Sequence, residues 1–135
     1  MIILCFLLLF SCSSINFFNN SSKRHIEKDY YINGNIKYKI QKINEEIDGY
    51  AKYWTEDGIL INEVYYINGI LNGKWKEYYL NGNLKYSVNY LYGIKDGYEL
   101  WFYENGIKKS ELFYDNGEIV GTKIRWSKAG ELIKK

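Results

Sequence analysis

The sequence predicts an all-β chain: antiparallel β-hairpins, each unit about 24 residues long, laid side by side as one elongated twisted sheet behind a short N-terminal segment. Three observations predict it. The phrases GYAKYWTEDG (49–58), GKWKEYYLNG (73–82), GYELWFYENG (97–106) and GTKIRWSKAG (121–130) return at a fixed interval of 24 residues. All 12 glycines fall at only three positions of that interval, the mark of a repeat architecture. Proline is absent while tyrosine reaches 15 residues, which suits a pleated, half-buried surface and leaves the strand ladder uninterrupted.

Counting phase zero at Gly49, Gly73, Gly97 and Gly121, a second glycine follows at phase 9 (Gly34, Gly58, Gly82, Gly106, Gly130) and a third at phase 20 (Gly69, Gly93, Gly117). At phases 7–9 the segments Ile32-Asn33-Gly34, Glu56-Asp57-Gly58, Leu80-Asn81-Gly82 and Glu104-Asn105-Gly106 read as hairpin loops. A three-residue loop closed by a glycine of positive φ pairs phase 5 with phase 11, and a two-residue type I′ turn is the competing assignment. The three-residue loop is preferred. It sets the aromatic of phase 5 (Tyr30, Trp54, Tyr78, Phe102, Trp126) opposite Ile36, Leu60, Leu84, Lys108 and Leu132. It also places both on the face of phases 13, 15 and 17, where phase 15 is Ile40, Val64, Val88 and Leu112. On the other face, phase 14 (Lys39, Glu63, Ser87, Glu111) is expected in water. Copies start near residues 25, 49, 73, 97 and 121. The first is degenerate, with Glu45 where later copies have glycine. The last ends in Lys134-Lys135, charges that discourage edge-to-edge pairing. About nine strands and no helix are expected over 25–135.

The first residues read differently. Ile2 to Phe10 is an apolar run too short to span a bilayer as a helix and of the length of a signal-peptide core. It ends in Leu9-Phe10-Ser11-Cys12, which resembles the bacterial lipobox. That resemblance implies a lipoprotein signal peptide over 1–11, a lipidated Cys12 and anchoring in the bacterial cell envelope on the periplasmic or surface side. Residues 12–24 then form a Ser/Asn-rich flexible tether. With Cys5 inside the apolar run, no cysteine pair remains for a disulfide or a thiolate metal site.

The phrase G-x-W-x-x-Y-Y-x-N-G-x-L with a following Y-x-x-G, densest in Gly73–Gly93 and Gly97–Gly117, resembles the MORN repeat in its bacterial variant, the YwqK-type antitoxin-like repeat proteins. The resemblance implies a β-hairpin rod that binds rather than catalyses. It carries over no ligand, because the matching positions are glycines and aromatics.

The residues themselves point the same way. A net charge of +2 gives no ground for a nucleic-acid partner. The single histidine, His25, stands at the tether's end away from any nucleophile, and no phosphate-cradling loop or metal-ligand spacing is present. We therefore read the chain as a non-enzyme without a cofactor. The phase-5 rings are read as the hydrophobic layer of a thin sheet. Tyr79 and Tyr103 at phase 6, with Tyr65 and Phe113 at phase 16, are the candidate partner-binding aromatics, cross-strand packing being their plainer role. Asp48, Asp96 and Asp115 are ascribed to turns. The function expected is a lipid-anchored, protein-binding scaffold. A toxin-neutralising immunity or antitoxin role, with a toxin as partner, and recognition of envelope glycan are the alternatives.

Overall fold

The computed structural model describes residues 22–133. The expected signal peptide over 1–11, the expected lipidation site Cys12, nearly all of the expected tether and the closing Lys134-Lys135 lie outside these residues. Among the described residues nine strands run β1 (Arg24–Tyr30), β2 (Ile36–Ile43), β3 (Glu46–Trp54), β4 (Leu60–Ile67), β5 (Ile70–Tyr78), β6 (Leu84–Leu91), β7 (Ile94–Phe102), β8 (Lys108–Asp115) and β9 (Glu118–Arg125). They form a single antiparallel sheet in strict sequence order. The first hairpin pairs fully despite its degenerate sequence, and just before β1 the Lys23 N–H donates to Asn44 Oδ1 at 2.9 Å.

The two connections of each unit differ because their residues differ. At the Asn/Asp-Gly loops, the N–H of the glycine donates to the carbonyl three residues back, as in Gly34 to Tyr31 at 2.9 Å and Gly82 to Tyr79 at 2.9 Å. The loop is the expected three-residue one, and phase 5 pairs with phase 11 in Tyr30–Ile36, Trp54–Leu60, Tyr78–Leu84, Phe102–Lys108 and Trp126–Leu132. Phases 19 and 20 make two-residue turns in which both residues have positive φ, as at Asn68 (47°) and Gly69 (73°), the type I′ geometry. The first copy keeps this geometry with Glu45 at φ 70°, and the third puts Tyr92 at 49°. Both side chains sit where L-residues are disfavoured.

The glycines of phase zero do something the spacing did not disclose. They lie inside strands, not at corners. Between Val64–Trp75 and Tyr66–Leu71 the register jumps, so that Tyr65 alone faces residues 72–74, and the same bulge recurs at Gly49 and Gly97. Gly73 has φ 96°, and a Cβ there would meet the Tyr65 ring at 3.5 Å. The side chain of phase 16 in one hairpin thus lies over the bulge of the next.

A second irregularity overturns part of the expected face assignment. The register also shifts by one between Tyr53 and Trp54, Glu77 and Tyr78, and Trp101 and Phe102. Phase 4 therefore pairs with phase 13, and a one-residue slip exchanges the faces. The rings of phase 5 belong with phases 1, 3, 14 and 16, on the face opposite phases 13, 15 and 17. Side chains agree: Lys108, the partner of Phe102, reaches Glu111 at phase 14 at 2.7 Å, and its ammonium stands 4.9 Å over the Trp126 ring. The rings remain on one side, but not on the side of the core.

That core is a transverse row in a sheet one layer thick. Ile40, Ala51, Val64 and Val88 are buried, Ala51 and Val88 to 0% exposure. Register pairs link Ile40 to Ala51, Ala51 to Val64, Val64 to Trp75 and Trp75 to Val88. Large rings at neighbouring positions cover these small residues: Tyr38 against Tyr53 at 6.3 Å, Trp75 against Tyr90 at 6.3 Å and Tyr86 against Trp101 at 4.3 Å between centroids. Aromatics supply area that no second layer provides.

Candidate partner-binding surface

The hairpin loops stack through side chains. Tyr31 Oη donates to the carbonyl of Trp54 at 2.8 Å, Tyr79 Oη to that of Phe102 at 2.9 Å and Tyr103 Oη to that of Trp126 at 2.9 Å. Beside them Asn33, Asn81 and Asn105 donate through Nδ2 to Glu56, Glu104 and Lys128 carbonyls at 2.9–3.0 Å. Of the candidate aromatics, Tyr79 and Tyr103 are therefore half-buried inter-hairpin struts whose hydroxyls are already engaged. The second hairpin departs from the rule: Thr55 and Asp57 replace the tyrosine and asparagine, and a carboxylate has no proton to donate.

At the turn margin, Asp48 Oδ2 accepts from the Asn68 N–H at 3.0 Å and Asp96 Oδ2 from that of Asn116 at 3.3 Å, while Asp115 Oδ1 accepts from Asn116 Nδ2 at 2.9 Å. These aspartates are turn residues, as the sequence suggested. His25 lies in β1 with Nε2 3.9 Å from the exposed Glu45 carboxylate.

The other two candidates face outward. Tyr65 packs edge-on against Tyr50 at 4.8 Å, and Phe113 against Tyr98 at 4.9 Å, both at 67°. Tyr50, Tyr98 and Phe113 are exposed to 44%, 56% and 37%. These are phase-1 and phase-16 residues, so two like aromatic pairs recur on the same face, two hairpins apart.

Sequence reasoning missed the polar row of that face. Glu63, expected in water, is only 8% exposed, because Lys52 from β3 and Lys76 from β5 close over it at 2.6 and 2.8 Å. Burial opposes ionisation of Glu63, and the two ammonium groups outweigh it, holding the carboxyl below its usual range. Ser87 at the same phase is also 8% exposed. On the core face, Glu99 is likewise buried, bonded to Lys95, Trp101 Nε1 and Tyr86 Oη. Burial and then the Glu99 charge push the Tyr86 hydroxyl up to about 12. Alternation along a strand assigns faces but not depth, so only the cross-strand partners could have flagged these carboxylates.

Among the described residues no group of three or more His, Cys, Asp and Glu is placed to hold a metal ion. What the fold offers is two aromatic-rich faces and two loop margins at fixed spacing. It is an open, single-layer β-hairpin repeat, a class whose interactions are made by faces and edges. The comparison with known families then specifies the likeness: residues 47–68, 71–92 and 95–116 match the MORN repeat variant, so each of the three central hairpins β3–β4, β5–β6 and β7–β8 matches one such repeat. Repeats of this kind serve in general as protein- or membrane-binding modules. No curated protein and no solved structure matches the chain.

Proposed function

We propose that this chain is a non-enzymatic protein-binding scaffold held at the bacterial cell envelope by a lipid on Cys12. The observation that carries the binding half is the recurrence of the exposed pairs Tyr50–Tyr65 and Tyr98–Phe113 on one face of a MORN-variant sheet. Paired rings left partly wet on a single-layer sheet present apolar area at a repeat distance, and a folded partner can cover it. The anchoring half rests on Leu9-Phe10-Ser11-Cys12 behind an apolar run that begins at Ile2. Acyl chains on Cys12 contribute about 0.8 kcal/mol per buried methylene, enough for two or three chains to hold a protein of this size at a membrane.

The test has two arms. Cys12→Ala, or globomycin treatment, releases the protein from the membrane fraction; unchanged size and fractionation refutes the anchor. Cross-linking in intact envelopes captures a protein partner with the native chain, and the Tyr65→Ser/Phe113→Ser double variant, still folded by circular dichroism, loses it. Capture that survives the double variant refutes this face as the binding surface.

A second reading, favoured by the Gly73–Gly93 and Gly97–Gly117 phrases that resemble YwqK-type antitoxin-like chains, makes the partner a toxin and the protein its immunity factor. Protection of cells against a toxin encoded beside this gene supports it, and unchanged killing in its presence removes it.

A further inference from the structure

One register row crosses the aromatic-pair face from edge to edge. Its members are Lys28, Lys39, Lys52, Glu63, Lys76, Ser87, Leu100, Glu111 and Ile124, each the direct cross-strand partner of the next. The row is polarised. Three lysines stand side by side on β1, β2 and β3, while the far half is neutral, apolar or acidic. Like charges directly opposite one another destabilise a sheet. Adjacent strands lie about 4.8 Å apart, so the three Cα atoms fall within roughly 10 Å. Lys52 is engaged with Glu63, but among the described residues neither Lys28 nor Lys39 has a carboxylate within 4.0 Å. Acids of the same strands are spent elsewhere: Glu27 holds Lys42 at 2.5 Å and Asp29 holds Lys37 at 3.5 Å. Beside the row, Lys39, Gln41, Tyr50, Lys52 and Trp54 line one open cleft. A fold that keeps an unfavourable like-charge row next to exposed rings keeps it for something outside itself.

We propose that this N-terminal end of the face docks an acidic, extended segment of the partner protein, its carboxylates lying along Lys28, Lys39 and Lys52 and an apolar side chain against Tyr50 and Trp54. The inference rests on the protein-binding reading above. Charge complementarity names the occupant, and the margins narrow it. Lys28 is exposed and Lys39 half-buried midway along their strands, and the margins beside them are mixed in charge, with Lys23, Arg24, Glu45 and Glu46 exposed on the turn side and Lys37, Glu56 and Asp57 exposed on the loop side. A flat anionic membrane would meet both margins, four carboxylates among them, whereas Lys28, Lys39 and Lys52 present cations alone. A single acidic chain fits between the margins.

The experiment uses the full chain and poly-L-glutamate as probe, followed by tryptophan fluorescence at low ionic strength. Poly-L-glutamate binds, and Lys28→Glu/Lys39→Glu weakens binding about tenfold, as expected for two partly screened charge contacts reversed. Lys123→Glu/Lys128→Glu, the same change in net charge at the other end of the sheet, leaves binding within about twofold. Thermal melts accompany each variant: Lys39→Glu alone relieves the like-charge row and melts no lower than the parent, and a double variant still folded at the assay temperature shows that weakened binding is not unfolding. Absent binding, or equal loss in both double variants, overturns the proposal. So does lysine-dependent binding to phosphatidylglycerol-containing vesicles without binding to poly-L-glutamate, which assigns the row to a membrane. If the cross-linked partner depends on Tyr65 and Phe113 while Lys28→Glu/Lys39→Glu is silent in capture and in poly-L-glutamate binding, the docking proposal fails and the scaffold reading stands.

Discussion

Tyr79→Phe asks whether the candidate aromatic is a strut or a contact. Its hydroxyl donates to the Phe102 carbonyl at 2.9 Å, half-buried and 23 residues along the chain. Removing one oxygen keeps the ring and its packing, and strips one accepted hydrogen bond from the next hairpin. A net contribution of about 1 kcal/mol is expected for such a bond. For a folded unit of roughly 110 residues that lowers the melting temperature by about 4 °C. The second hairpin supplies the reverse experiment, because Thr55 occupies the equivalent position. Thr55→Tyr places a hydroxyl where the Tyr78 carbonyl waits, and the melting temperature rises by about 2–4 °C if the full bond forms. Melts followed by circular dichroism and by tryptophan emission read both. Capture of a partner is unchanged in Tyr79→Phe. The reasoning is refuted if Tyr79→Phe melts with the parent while Thr55→Tyr gains nothing, for then the strand ladder alone stacks the hairpins. Lost capture at an unchanged melting temperature would instead return Tyr79 to the binding surface.

Four further outcomes rest on the same structure. Glu45→Gly relieves a non-glycine φ of 70° and stabilises by about 0.5 kcal/mol after glycine's own entropy cost, read by urea midpoint. Gly117→Ala, at φ 85° with an Ile94 methyl 2.9 Å from the new Cβ, costs more than Gly34→Ala, at φ 86° with none of the described residues within 4 Å, and the difference is steric. Glu63 has its carboxyl held below the ordinary 4.5, so its stabilisation is present above that pH and is lost as pH falls through the folded-state value. Acid titration of Glu63→Gln, with a loss of about 1 kcal/mol at neutral pH because both lysines are about one-third exposed, therefore shows a smaller decline below pH 4.5 than the parent. Finally, Trp75 Nε1 is buried without a hydrogen-bond partner among the described residues, so Trp75→Phe destabilises by less than the usual cost of trimming a core ring, measured by thermal melt.

The period, the all-β class, the three-residue loops and the cross-strand pairs at the loops were legible from residue types alone. Asn-Gly and bare glycine are demanded wherever φ must be positive, and a repeat states that demand several times. The bulges were not legible. A glycine spaced for a corner and a glycine spaced for a mid-strand bulge look alike in sequence, and only hydrogen-bond register tells Gly69 from Gly73. Because every bulge can exchange the faces, alternation counted through Trp54 put its ring on the wrong side. Glu63 and Lys39 share a phase, and local sequence reads both as solvated. Their different fates come from what stands on the neighbouring strands, two lysines that close over Glu63 and two that crowd Lys39. Sequence determined how the chain turns, since turning depends on each residue's own backbone preferences. Tertiary structure decided which charges are satisfied and which, among the described residues, stand without a counter-charge, because that depends on distances between residues on neighbouring strands.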